Sequence, residues 1–197
     1  MAEEIIVVSG LPRSGTSMIM QMLAAGGVPV LTDGRREADE DNPRGYFEYE
    51  PVKNLHRDAA WVRDAVGKAV KIVAPLLPYL PEGAAYRVIF IERDLDEVLA
   101  SQAQMLIRRG EPVEDSPARR NRLRTDYQRQ AERVKGLLRS RPEIRTLFVH
   151  RDGVLTGAAV EADRINRFLG GTYDTGAMAA QVNPALDRHR VAGQGSA

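Results

Sequence analysis

The sequence predicts one α/β domain, a mostly parallel central sheet of about four to five strands flanked by helices. Two observations carry that expectation. Short apolar runs alternate with longer amphipathic stretches along the chain, the pattern of successive βα units. The length, 197 residues with 43% apolar and 28% charged side chains, suits one packed core and is too short for two comfortable ones.

The elements follow in order. Ile5-Ile6-Val7-Val8 reads as a buried strand, and Met18 to Ala25 as the helix after it, closing at Gly26-Gly27 where a left-handed C-cap is accessible. Val28 to Leu31 is a candidate second strand. The polar stretch from Thr32 to Arg44 reads as a mobile loop. Pro51 suits the first turn of a helix, and Val52, Leu55, Ala59, Val62 and Val66 recur on one face of it. Lys68 to Val73 and Arg87 to Ile91 are the next strand candidates, joined by the Pro-rich APLLPYLPEG. Leu95 to Arg108 is an amphipathic helix. Glu114 to Arg139 is a long basic helical segment, broken near Pro117. Arg145 to Val149 is the last strand, and Ala158 to Leu169 a helix closing at Gly170-Gly171. The whole chain, 1–197, is expected to form a single domain, with 183–197 a flexible tail.

Composition excludes several classes of chemistry. With no Cys there is no disulfide framework, thiolate zinc site or Cys nucleophile. A formal charge of +1 argues against whole-surface attraction to nucleic acid or anionic membrane. The opening MAEEIIVVSG has no basic n-region, and no apolar run is long enough to span a membrane. A cytoplasmic, soluble protein is the expectation. All but four of the 28 basic residues are Arg, which a biased codon usage explains as readily as anion recognition, so each Arg is judged by position.

The most informative segment is Gly10-Leu11-Pro12-Arg13-Ser14-Gly15-Thr16-Ser17, placed where the first strand turns into the first helix. Against G-x-x-x-x-G-K-[ST] it keeps Gly10, Gly15 and Ser17 but has Thr16 in the Lys position. It therefore predicts a P-loop fold in which the backbone N–H groups from Ser14 to Ser17 hold an anion at the helix start. The missing Lys is the group that reaches the distal phosphates of a triphosphate, so ATP and GTP are poorly served. Arg13 sets positive charge at the loop's shoulder instead, an arrangement suited to a single 5′-phosphate carrying one more anionic group.

Pro12-Arg13-Ser14-Gly15-Thr16-Ser17 resembles the 5′-phosphosulfate loop, P-[KR]-S-G-T-[ST], of sulfotransferases that use 3′-phosphoadenosine 5′-phosphosulfate (PAPS). A second segment strengthens the resemblance. That family holds the 3′-phosphate through R-x-P-x-[DE]-x-x-x-S, and here Arg93, Glu97 and Ser101 have that spacing, with Leu95 in place of Pro. Asn42-Pro43-Arg44-Gly45-Tyr46-Phe47-Glu48 resembles an N-P-x-G-[FYW]-x-E element of bacterial members. The strand and turn through His150-Arg151-Asp152, and the Phe168-Leu169-Gly170 helix end, resemble later elements, with Arg151 where Glu is common. The RKG-type C-terminal loop of animal members is absent, and Arg188-His189-Arg190 offers basic residues in its place.

The resemblance implies transfer of a sulfuryl group, in line and without a metal, from PAPS to a hydroxyl or amine, leaving PAP. It implies that Arg13, Ser14, Gly15, Thr16 and Ser17 hold the 5′-phosphosulfate, that Arg93 and Ser101 hold the 3′-phosphate as a second anion pocket, and that Arg13 stabilises charge on the leaving oxygen. For the general base, Glu48 comes first, because Tyr46 and Phe47 before it would lower local polarity; His56 comes second. A surface Glu and a structural His are the alternatives. Lys53 is a weaker electrophilic candidate, and His150 and His189 read as structural or solvated. The basic run Arg108, Arg109, Arg119, Arg120, Arg122, Arg124, Arg129, Arg133 and Lys135 reads as a wet helix face or the wall of an acceptor cleft. Trp61 and Tyr127 line either that cleft or the core. The acceptor is a small molecule or an exposed group, and a homodimer completing the site is left open. Two other readings stand beside this one, an ATP-using small-molecule kinase and a non-catalytic nucleotide-binding module.

Overall fold

The computed structural model of the chain describes residues 4–39, 42, 45–113 and 116–183. Four parallel strands form its sheet: β1 Ile5–Gly10, β2 Ala69–Lys71, β3 Tyr86–Glu92 and β4 Ile144–His150. Their spatial order is β2-β1-β3-β4. Both faces of this sheet are covered, which is why β1 reads as an unbroken apolar run rather than an alternating one. Ile6, Val8, Ile89 and Ile91 face α1 (Thr16–Ala25), α5 (Ala158–Leu169) and α6 (Thr175–Ala180). Ile5, Val7, Val88 and Phe90 face the opposite way, onto Trp61, Leu77, Val134 and Leu138. Trp61 is a core residue there, its ring edge-on to Tyr49 at 5.5 Å, and Tyr127 packs against the same cluster.

The helices start where local chemistry starts them. Asp94 caps α2 (Leu95–Arg108), its carboxylate accepting from the amides of Asp96 and Glu97 at 2.9 and 3.1 Å. Ser116 caps α3 (Pro117–Ser140), accepting from the Arg119 amide at 3.2 Å. Pro117 therefore opens α3 instead of breaking it, the position where its missing N–H costs nothing. A single turn and a half, α4 (Arg151–Thr156), follows β4 directly.

Two further expectations are corrected. Val28 to Leu31 is not a strand; only Val30 bridges to Ala69, laying a short extended piece along the outer edge of β2. The helix expected from Pro51 is two 3₁₀ turns, Glu50–Asn54 and Ala60–Ala65. Asp58 interrupts it, its side chain accepting from the Ala60 amide at 2.9 Å and giving the backbone an alternative to helical bonding. Val52, Leu55 and Val62 are buried all the same. The 184–197 part of the expected tail lies outside the described residues.

Candidate functional site

The strand order places the site. The chain runs from β1 to β2 on one side and then crosses back past β1 to β3 on the other, so a crevice opens beyond the carboxyl end of β1. The Gly10-to-Ser17 loop fills that crevice. Register pairs Gly10 with Ile91, which carries Glu92-Arg93 alongside the loop from the neighbouring strand.

Two glycines are required there. A Cβ on Gly10 would lie 2.4 Å from Ser14 Oγ and 2.5 Å from the Ile91 carbonyl oxygen. Gly15 has φ +109° at the α1 N-cap. Arg13 also has positive φ, 68°, an uncommon conformation for a side chain with a Cβ. The Ser14 amide is spent on a turn, donating to Leu11 O at 3.1 Å. The expected cradle of four amides is therefore three: those of Gly15, Thr16 and Ser17 have no backbone acceptor among the described residues. Ser14 Oγ is buried with no hydrogen-bond partner among the described residues.

Arg93 and Ser101 both bond directly to this loop. Arg93 Nη1 donates to Arg13 O at 3.0 Å, and Arg13 Nε donates to Ser101 Oγ at 3.0 Å. Arg93 Nε donates to Glu97 Oε2 at 2.9 Å, with both side chains 5% exposed. Arg151 Nη1 stands 3.8 Å from the same carboxylate oxygen.

A second cluster lies on the β2 side of the loop. Lys71, at the end of β2, is buried; its ammonium donates to Tyr46 O and, at 3.4 Å, to Ser17 Oγ. Glu48 Oε1 stands 3.5 Å from Lys71 Nζ and 2.7 Å from Arg36 Nη1. The Arg36 guanidinium lies 3.3 Å from the Tyr46 ring centroid, and the Tyr46 hydroxyl donates to Asp39 at 2.6 Å. Burial is the main cause that lowers the Lys71 pKa to about 8, against the opposing pull of Glu48. The low-polarity setting expected for Glu48 is replaced by an ionic one, since the Tyr46 ring is turned to Arg36 rather than to the carboxylate. Only Oε1 of Glu48 takes these contacts.

Of the remaining sequence candidates, Arg124, Lys135 and His150 line the cleft beside the loop. His56 is exposed, its ring edge-on to Tyr79 at 5.9 Å. Lys53 pairs with Glu50 at 2.7 Å on the surface. His150 is 74% exposed, 3.5 Å from Glu92. Arg120, Arg122, Arg124, Arg129 and Arg133 are exposed along α3. Pro43, Arg44, Arg188, His189 and Arg190 lie outside the described residues. A cleft of about 400 Å³ opens beside the loop, lined by Leu11, Ser14, Arg93, Leu95, Gln128 and Lys135 among others. Among the described residues no helix is long and apolar enough to cross a membrane.

No protein-family model matches the chain, and no curated protein matches its sequence. Solved structures do match. A mouse sulfotransferase in complex with PAP aligns with a TM-score of 0.58 at 16% identity, over 92% of this chain and 63% of the mouse one. A sulfotransferase from Alicyclobacillus acidocaldarius aligns at 0.52 and 17% identity, over 89% of this chain and 85% of its own. The sulfotransferase domain from the curacin biosynthetic pathway gives 0.52 and 14%, over 96% and 92%. The fold is that of the sulfotransferases. The chain spans less than two thirds of the length of the mouse protein.

Within this sulfotransferase fold, the site contains residues that sequence reasoning passed over. Lys71 is the clearest, and a signal for it existed: it is the one charged residue in the apolar run Ala69 to Val73. Arg36 and Asp39 gave no signal, because a polar loop looks the same whether or not it folds back on a site.

Proposed function

We propose that this chain is a PAPS-dependent sulfotransferase, passing a sulfuryl group in line, without a metal, to a hydroxyl or amine of a small molecule or exposed group. The observation that carries the reading is the hydrogen bond from Arg93 to the carbonyl of Arg13, which joins the two nucleotide motifs at one crevice. The residues fit the donor. Three amides without backbone acceptors among the described residues, a buried Ser14 hydroxyl and a loop closed to any Cβ at Gly10 suit a phosphate held at the helix start. When bound, PAPS supplies an already activated sulfuryl group.

The protein's share is to position, polarise and deprotonate. Amides of Gly15, Thr16 and Ser17 receive the 5′-phosphate and its growing charge. Arg93 and Ser101 serve the 3′-phosphate from the strand end. Lys71, next to Ser17, offers its ammonium to sulfuryl oxygens, a role for which Lys53 is only a weaker candidate in the sequence. Glu48 takes the acceptor proton on Oε2, while Oε1 stays with Arg36 and Lys71.

Thermal shift with PAP and no metal, against ATP with Mg²⁺, tests the reading. PAP alone is expected to raise the melting temperature, and labelled sulfate from PAPS to reach an acceptor panel. A shift with ATP–Mg²⁺ and none with PAP would overturn it in favour of phosphoryl transfer; a PAP shift with no transfer to any acceptor would favour a binding module.

A further inference from the structure

Arg151 is the first residue of α4, directly beyond β4, yet its side chain runs back across the loop. A Cβ on Gly15 would lie 3.5 Å from Arg151 Cδ and 3.7 Å from its Nε. Its Nη1 is 3.8 Å from Glu97 Oε2, the oxygen that accepts from Arg93 Nε. Side-chain exposure is 11% for Arg151 and 5% for Glu97. One buried carboxylate thus stands between two guanidinia that arrive from the ends of adjacent strands. Gly15 opens the row of amides with no backbone acceptor among the described residues, so the Arg151 side chain and those amides meet at one residue. Arg93 is hydrogen-bonded to that carboxylate and Arg151 lies within ion-pair distance of it, and planar guanidinium geometry suits a tetrahedral oxyanion.

We propose that Arg151 is a ligand of the phosphate held by the Gly15-to-Ser17 amides, and that Glu97 is the positioning residue that aims it. The identity of the nucleotide rests on the function proposed above; the anion site itself does not.

Calorimetric titration of the full chain with PAP and, separately, inorganic pyrophosphate tests this. Arg151→Gln is expected to weaken both about 10- to 100-fold, the range for a hydrogen bond to a charged group. Arg151→Lys, which keeps charge without the fork, is expected to recover part of the loss. A double variant, Glu97→Gln with Arg151→Gln, removes both charges and relieves any stranded carboxylate. It is expected to stay weak, because the phosphate ligand is still missing. Wild-type affinity in Arg151→Gln, or its return in the double variant, would overturn the assignment and leave Arg151 a counter-charge for Glu97. Should Arg151→Gln fail to fold, Arg151→Lys and the double variant decide. A wild-type chain that binds pyrophosphate but not PAP removes the proposed donor, while the Arg151 variants against pyrophosphate still decide this inference; binding of neither probe defeats both.

Discussion

Arg93 donates from Nη1 to the main-chain carbonyl of Arg13 at 3.0 Å, a bond between residues 80 positions apart. Arg13 holds a left-handed backbone, φ 68°, and the strand end of β3 braces it there. The bond ties the loop expected to cradle one anion to the residue expected to recognise a second.

Arg93→Ala is expected to cost about 1–3 kcal/mol, because it takes one of two guanidinia from the buried Glu97 carboxylate and releases the loop. Urea unfolding followed by circular dichroism measures this. A loss below about 1 kcal/mol would mean that the Arg93–Glu97 pair is not buried as described.

Gly10→Ala is expected to destabilise by about 1–3 kcal/mol through overpacking, since the added methyl meets the Ile91 carbonyl, which is backbone and cannot swing aside. The same variant should lose the PAP thermal shift. An unchanged urea midpoint together with an intact shift would contradict the close approach of β3 to the loop.

Lys71 gives stability a pH signature. Its native pKa is about 8, below the ordinary 10.5, chiefly from burial. Between those values the unfolded chain binds this proton and the native chain does not, so the group makes stability rise with pH across that window. Lys71→Met should abolish this part of the rise in unfolding free energy measured at successive pH values. Transfer activity that uses the ammonium should fade as pH rises through about 8, and a rate flat to pH 9 would remove Lys71 from the reaction.

Glu48→Gln should lower transfer by about 10²–10⁴-fold if Oε2 takes the acceptor proton. It also removes the group that raises the Lys71 pKa, so the alkaline loss of activity should begin at lower pH. The partly exposed Arg36–Glu48 pair accounts for about 1 kcal/mol or less of stability, and loss of the carboxylate beside buried Lys71 adds to that. A variant that retains full activity while melting normally would show that Glu48 only holds Arg36 and Lys71.

The sequence by itself determined the strand–loop–helix of Ile5–Ala25, the bounds of α2 and α5, and the eight-residue spacing of Arg93 and Ser101. Each of these rests on neighbours in the chain: apolar periodicity, an Asp94 cap, glycines at turns. It misread Val28 to Leu31 and the Pro51 helix, where apolar spacing was right but hydrogen bonds went to an edge strand and to Asp58. Tertiary structure alone decided that Arg93 and Ser101 bond to Arg13, that Lys71 sits beside Ser17, and that Arg151 lies over Gly15. These contacts join the carboxyl ends of separate parallel strands. Each crossover between such strands is long, so no local pattern encodes which side chains its two ends bring together.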